Sequence, residues 1–148
     1  MLTTLKGDLF TSRAQTFVNA VNCVGVMGKG IALEFKKRYP AMFEDYVARC
    51  KLKQVRLGEP YLFRDLGGAM IMNFPTKGHW RSPSRIRDID EGLEYFVEHA
   101  EDWGVTSIAF PPLGCGNGGL AWTEVEPLIY RRLRGLPMEI EIYAPRSP

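Results

Sequence analysis

Apolar residues fall along this chain in two alternating rhythms. Thr16–Val21 (TFVNAV), Ala69–Phe74 (AMIMNF) and Val105–Phe110 (VTSIAF) are nearly unbroken apolar or β-rich runs of strand length. That is the pattern of strands buried on both faces. Met138–Tyr143 (MEIEIY) alternates apolar and acidic residues, as a strand with one solvated face does. Met1–Lys6 and Pro60–Phe63 read as shorter strands, set off by Gly7-Asp8 and by Gly58 and Gly67-Gly68. Helical spacing fills the gaps. Gly30–Arg38 puts Ile31 and Phe35 on one face and Lys36, Lys37 and Arg38 near its C-terminal end, where cations suit the dipole; Pro40 stops it. Ala41–Lys51 spaces Met42, Phe43, Tyr46, Val47 and Cys50 as a helix does. Ser84–Trp103 is the clearest helix, with Ile86, Ile89, Leu93, Phe96, Val97 and Ala100 at three- and four-residue steps, Ser84 as expected N-cap and Gly104 as expected C-cap. A last helix is expected from near Thr123, because Pro127 must lie close to its first turn; Val125, Leu128, Ile129 and Leu133 are its stripe. Strands alternating with helices predict an α/β sandwich around a largely parallel sheet.

At 148 residues one domain is expected, and neither linker nor repeat interrupts it. The net charge of +2 is too small to require a nucleic-acid partner. The cations do cluster, at Lys36-Lys37-Arg38, at Arg81, Arg85 and Arg87, and at Arg131-Arg132-Arg134. These are either solvated helix faces or contacts to a polyanion. Three scattered cysteines without a CxxC, and two histidines, argue against a disulfide framework and against a metal site. No signal peptide or membrane-length apolar stretch is seen, so a cytoplasmic protein without a membrane partner is expected.

Two glycine-rich loops each follow an apolar run and open into a helix: VNCVGVMGKGIA, from Val21 to Ala32, and PPLGCGNGGLAW, from Pro111 to Trp122. Glycine lets backbone N–H groups approach phosphate, and helix N-termini add positive partial charge. Both loops fall at carboxyl ends of expected strands, where ligands sit in such sheets. The pair predicts one site that grips a pyrophosphate at two points. GVMGKG is not a P-loop: Cys23 stands where that motif needs glycine, and Gly30 where it needs Ser or Thr. Gly114, Gly116 and Gly119 satisfy G-x-G-x-x-G, but Pro111-Pro112 intrude between strand and loop, Glu139 falls at the start of its strand, and only one strand follows. A dinucleotide dehydrogenase is therefore not the expectation.

The residues resemble the macrodomain family along nearly the whole chain. Four pieces carry the likeness: GDLF at Gly7 to Phe10, VNAVN followed by GVMGKGIA, NFPTK at Asn73 to Lys77, and PPLGCGNGGLAW. The resemblance implies a three-layer α/β/α sandwich with a mixed, largely parallel sheet and an ADP-ribose ligand, with no cofactor and no metal. NFPTKGHWR resembles the branch that holds the terminal ADP-ribose protein glycohydrolase and the DarG antitoxins, which remove ADP-ribose from thymidine in single-stranded DNA. It implies that Asp8 accepts a hydrogen bond from the adenine amino group, that Asn22 contacts the distal ribose, that Gly28, Lys29 and Gly30 wrap the pyrophosphate and that ribose, and that Leu9, Asn19 and Ile31 also belong to the ADP-ribose site. Thr76 and the second loop (Pro112, Leu113, Gly114, Cys115, Gly116, Asn117, Gly118, Gly119 and Leu120) are implied on the other side.

Lys77 matches the lysine that in this branch attacks the anomeric carbon. A lysine amine is a nucleophile when neutral, so the role is chemically sound. Trp80, Arg81 and Arg85, with His79, suit stacking and phosphate contact on single-stranded DNA, although Trp80 packing under its loop fits the sequence equally. A cognate DNA ADP-ribosyltransferase toxin is the implied partner, and a monomer is expected. One departure matters. The protein glycohydrolase has an aspartate where this chain has Gly118, and no Asp or Glu lies between Gly114 and Gly119. The general acid/base is therefore unnamed, with His79 a candidate only by proximity. Three activities stay open: a DNA ADP-ribosyl glycohydrolase, a phosphatase of ADP-ribose 1''-phosphate, and a module that only reads ADP-ribose. Cys23 and Cys115 read as small buried residues, and Trp122 as packing beneath the second loop.

Overall fold

The three apolar runs become adjacent strands in the middle of one sheet, where both faces are covered. The computed structural model describes residues 1–146. Its strands are β1 (Leu2–Leu5), β2 (Thr16–Val21), β3 (Tyr61–Arg64), β4 (Met70–Pro75), β5 (Ser107–Phe110) and β6 (Glu139–Tyr143). They order as β1-β6-β5-β2-β4-β3. Every neighbouring pair is parallel except β3 with β4, so the sheet is mixed and largely parallel, as expected. The helices are α1 (Gly30–Arg38), α2 (Pro40–Lys51), α3 (Ile86–His99) and α4 (Trp122–Leu133).

Period-two alternation sorts the strands' side chains onto two cores. Met72 and Phe74 of β4, Ile108 and Phe110 of β5, and Ile140 and Ile142 of β6 pack with Ile89, Leu93 and Phe96 of α3 and Val125, Ile129 and Leu133 of α4. Ile71, Ala109 and Tyr143 point the other way and pack with Phe35 of α1 and Met42 and Tyr46 of α2. Two helices on each face make the three layers. α3 reaches the sheet closely because it carries Gly92 there: a Cβ at that position would lie 2.4 Å from Phe74 Cζ.

Some boundaries differ from expectation, each for a local reason. Pro40 both ends α1 and begins α2, where its missing N–H costs nothing. α3 starts at Ile86 with Arg85 as its N-cap, not Ser84, and its C-cap is Ala100, not Gly104. Ser84 is drawn away because its main-chain N–H donates to the Gly118 carbonyl at 2.9 Å. After Ala100 the chain runs in turns to Gly104, whose φ of 72° closes them.

Candidate functional site

Strand register builds the site. β2 pairs with β4 from Thr16 opposite Met70 to Val21 opposite Pro75, and with β5 at Thr16–Ile108 and Phe17–Ala109. Three carboxyl ends therefore lie side by side, and the first glycine loop, Thr76-Lys77 and the second glycine loop leave the sheet together. Thr76 N–H continues the ladder by donating to Val21 O at 2.8 Å.

Asn22 organises the first loop. Its Nδ2 donates to Val26 O at 2.8 Å, and its Oδ1 accepts from Val24 N–H at 3.0 Å and from the Tyr46 hydroxyl at 2.7 Å. Met27 is buried and anchors the loop to the core. The chain then turns outward at Gly28–Gly30. Gly30 opens α1 at a φ of 57°, and the N-cap, Lys29, supplies no side-chain acceptor to the first turn. The amides of that turn thus face the cleft, as at an anion-binding helix N-terminus.

The second loop is shaped by what lies under it. Leu113 is buried, and Leu120 packs so close that a Cβ on Gly114 would sit 2.6 Å from its Cδ1. A Cβ on Gly118 would sit 2.4 Å from Ser84 Oγ. Glycine at 118 is thus a steric requirement, which accounts for the absent carboxylate noted in the sequence. Lys77 ties its own segment to the second loop: Nζ donates to Trp80 O at 3.1 Å and to Asn117 O at 3.3 Å. Its own segment is tied to the first loop by Cys23 N–H donating to Gly78 O at 3.2 Å.

A cavity of about 660 Å³ lies between these pieces. Of the residues singled out in the sequence, Asn22, Gly28, Lys29, Gly30 and Ile31 line it from the first loop, and Thr76, Lys77 and Trp80 from the strand end. Pro112, Gly114, Cys115, Gly116, Asn117 and Gly118 close it from the second loop. Ala20, Val21, Val26, Ala32 and Pro111 also line it and were not singled out; position at strand ends and in the first turn of α1 is the signal that would have found them. The lining holds no Asp or Glu, and among the described residues no group of three His, Cys, Asp or Glu could hold a metal ion.

Other expected residues lie off the cavity wall. Asn19 is fully buried, and its Nδ2 donates to Asn73 Oδ1 at 3.1 Å across the β2–β4 register, so its side chain links two strands. Leu9, Leu113 and Leu120 put their side chains into or against the core. Gly119 is exposed but is not part of the wall. Asp8 is exposed, and its Oδ1 caps a 3-10 turn by accepting from Phe10 N–H at 2.9 Å. His79, Arg81 and Arg85 stand outside the mouth. The Arg81 guanidinium lies over the Trp80 ring at 4.5 Å and the His79 ring is 5.1 Å from it, while Trp80 is 43% exposed. Trp80 is thus a surface ring at the cavity rim. Arg85 is engaged, its Nε 2.9 Å from Asp88 Oδ2. Trp122 packs against the α3–α4 core.

Burial pushes the Cys23 thiol up to about 11, with Cys50 and Asp88 adding to the effect, and burial also raises Cys115. Neither is an activated thiolate. A second cavity of about 650 Å³ lies behind the first loop, walled by Cys23, Val24, Gly25, Cys50 and the cations Lys51, Lys53 and Arg56. Only the Cys23–Gly25 part of the first glycine loop reaches it, and no helix N-terminus is among its walls.

A family model for the Macro domain matches residues 18–129. The chain is 46% identical to a DNA ADP-ribosyl glycohydrolase of Mycobacterium tuberculosis, over 98% of this chain and 42% of that protein. It is 44% identical to one of Thermus aquaticus, over 98% of this chain and 41% of that protein. The chain thus spans about two fifths of the length of the curated relatives it matches. Among solved structures, the macrodomain of Mycobacterium tuberculosis DarG superposes with a TM-score of 0.94 at 45% identity, over 99% of both chains. Thermosipho africanus DarTG in complex with ADP-ribose superposes with a TM-score of 0.91 at 40% identity, over 98% of this chain and 42% of that one.

Proposed function

The chain belongs to the macrodomain family, and from that premise we propose that it removes ADP-ribose from thymidine in single-stranded DNA, with Lys77 as the nucleophile. The observation that carries this is the placement of Lys77 Nζ between Trp80 O and Asn117 O on the wall of the two-loop cavity. A neutral amine that gives both hydrogens to these carbonyls keeps its lone pair for a third direction, and attack requires that lone pair. The names of the relatives in Mycobacterium tuberculosis and Thermus aquaticus support ADP-ribose removal from DNA.

The pyrophosphate lies between the amides at Gly28–Gly30 and those of the second loop, which sets the distal ribose toward Lys77. The amine forms a bond to the anomeric carbon, and the bond from that carbon to the thymine nitrogen breaks. The electron pair leaves with thymine, which takes a proton from solvent. Ring opening gives a Schiff base to Lys77; water adds to it, releasing ADP-ribose and the free amine. Trp80, beside Lys77 on the wall and open to solvent, is a stacking surface for the departing base or its neighbour, with Arg81, Arg85 and His79 along the strand's path. A Thermosipho africanus relative, 39% identical, is a DNA ADP-ribosyl transferase–DNA ADP-ribosyl glycohydrolase fusion protein, which supports a transferase toxin as the partner of this activity. Action as a monomer in the cytoplasm completes the reading.

The test is incubation with a single-stranded oligonucleotide bearing ADP-ribosyl-thymidine. Wild type should return bare oligonucleotide and Lys77→Ala should not. Full turnover by Lys77→Ala sinks the nucleophile; failure of wild type, with ADP-ribose still bound in calorimetry, sinks the activity.

A further inference from the structure

The segment from Lys77 to Ser84 is closed onto the second loop at both ends. Lys77 Nζ donates to Asn117 O at 3.3 Å, and Ser84 N–H donates to the next carbonyl, Gly118 O, at 2.9 Å. Between them a turn is held by Ser82 N–H donating to His79 O at 2.9 Å. The carbonyl that orients Lys77 therefore sits one peptide from the point where Ser84 fixes the loop.

Ser84 fixes it by shape as well. The residue is 5% exposed, and its side chain fills the hollow beneath the second loop: a Cβ on Gly118 would lie 2.4 Å from Ser84 Oγ and 2.9 Å from Ser84 Cβ, and one on Gly114 would lie 3.3 Å from Ser84 Cβ. The hydroxyl has no hydrogen-bond partner among the described residues. A buried hydroxyl left unpaired is a net cost, so neither a cap nor a hydrogen bond explains the side chain. Its volume under Gly118 does.

We propose that Ser84 is a positioning residue for Lys77: by packing under Gly118 it sets the height of the Asn117–Gly118 peptide, and with it the carbonyl that aims the lysine amine at the anomeric carbon. This rests on the reading of Lys77 as nucleophile. A side chain at 118 lifts that peptide, and removing the Ser84 side chain makes room for it while the main-chain donor at 84 stays.

The test is a cycle of Gly118→Ala, Ser84→Gly and the double variant, each checked for folding by thermal melting. It is read as kcat and KM on ADP-ribosylated oligonucleotide, as ADP-ribose affinity, and as the lysine adduct trapped by borohydride. Gly118→Ala should lower kcat roughly 10- to 100-fold, the scale of an ångström's misplacement, Ser84→Gly should lower it in the same sense by letting the peptide sink, and both should lower the trapped adduct in step. ADP-ribose affinity should fall by less than kcat does, since only one peptide of the second loop moves, and the double variant should regain kcat and adduct, since residues in contact are non-additive. Equal loss of kcat with Ser84 or Gly at position 84, or a loss of ADP-ribose affinity that matches the loss of kcat, overturns the proposal. No trapped adduct in wild type, with full turnover by Lys77→Ala, overturns the nucleophile reading itself, an outcome distinct from failed rescue.

Discussion

The Tyr46 hydroxyl lies 2.7 Å from Asn22 Oδ1 and 2.8 Å from the Asn22 carbonyl oxygen. One phenol on α2 thus holds both the side chain that folds the first glycine loop and the main chain where that loop leaves β2. Tyr46 braces the loop that leads to Gly28–Gly30 without itself lining the cavity. Tyr46→Phe keeps the ring packed but removes the one hydroxyl hydrogen that these two oxygens share; Asn22 Oδ1 keeps Val24 N–H, so the acceptor left short is the Asn22 carbonyl. The expected cost is about 1–3 kcal/mol of stability. The first loop loosens with it, so ADP-ribose binds more weakly. Denaturant titration with calorimetry checks both; unchanged affinity in a destabilised variant would separate Tyr46 from the site.

Gly92 makes a sharper stability prediction, because helix propensity and packing oppose each other. Alanine in mid-helix is better than glycine by about 1 kcal/mol. Here its Cβ would meet Phe74 at 2.4 to 3.1 Å, against a fully buried ring in a strand buried on both faces. Overpacking of this kind costs about 1–3 kcal/mol or more, so packing wins. Gly92→Ala should lower the melting temperature, and a rise would show that α3 can move off the sheet.

How far the chain could be read without its structure follows from which interactions are local. β2 and α1 fall where the hydrophobic rhythm put them, because both depend on near neighbours. Ser84 looked like an N-cap because its sequence context is that of one; its tie to Gly118, 34 positions away, overrides the local preference. Asn19 sat in a motif that suggested ligand contact, yet its register partner in β4 is Asn73, and cross-strand pairing is invisible in a single sequence. The two-loop cavity was legible because glycine spacing at strand ends is itself a local signal. The Lys77–Asn117 contact was not, because it depends on how two loops meet.

Alkaline conditions should destabilise the fold. Burial holds the Cys23 thiol up to about 11 and raises Cys50 and Tyr46 as well. Once unfolded, thiols lose their protons near the ordinary value of about 8.5. Above that pH the unfolded chain binds fewer protons than the folded one, so stability is complete below about pH 8.5 and falls as pH rises toward 11. Denaturant midpoints at pH 8 and pH 10.5 measure it, and Cys23→Ala should flatten the decline. Midpoints that do not move would mean the first loop opens to solvent and the thiol titrates freely.

Arg81 and Arg85 should differ in what they give to a bound strand. Arg85 is already held by Asp88, whose side chain is 6% exposed, so a phosphate must compete with a carboxylate that stays in place. Arg81 stacks on Trp80 at the cavity rim, and its guanidinium edge can meet a phosphate while its face stays on the ring. Arg81→Ala should therefore weaken oligonucleotide binding at low salt and reduce the slope of log affinity against log salt by about 0.7, the value of one phosphate contact on a single strand. Arg85→Ala should change that slope less and should lower the melting temperature by exposing the buried Asp88 charge without its partner. ADP-ribose alone should bind Arg81→Ala as tightly as wild type, since Arg81 is not part of the cavity wall. Equal slopes for wild type and Arg81→Ala would move the strand's path away from the His79–Trp80–Arg81 rim.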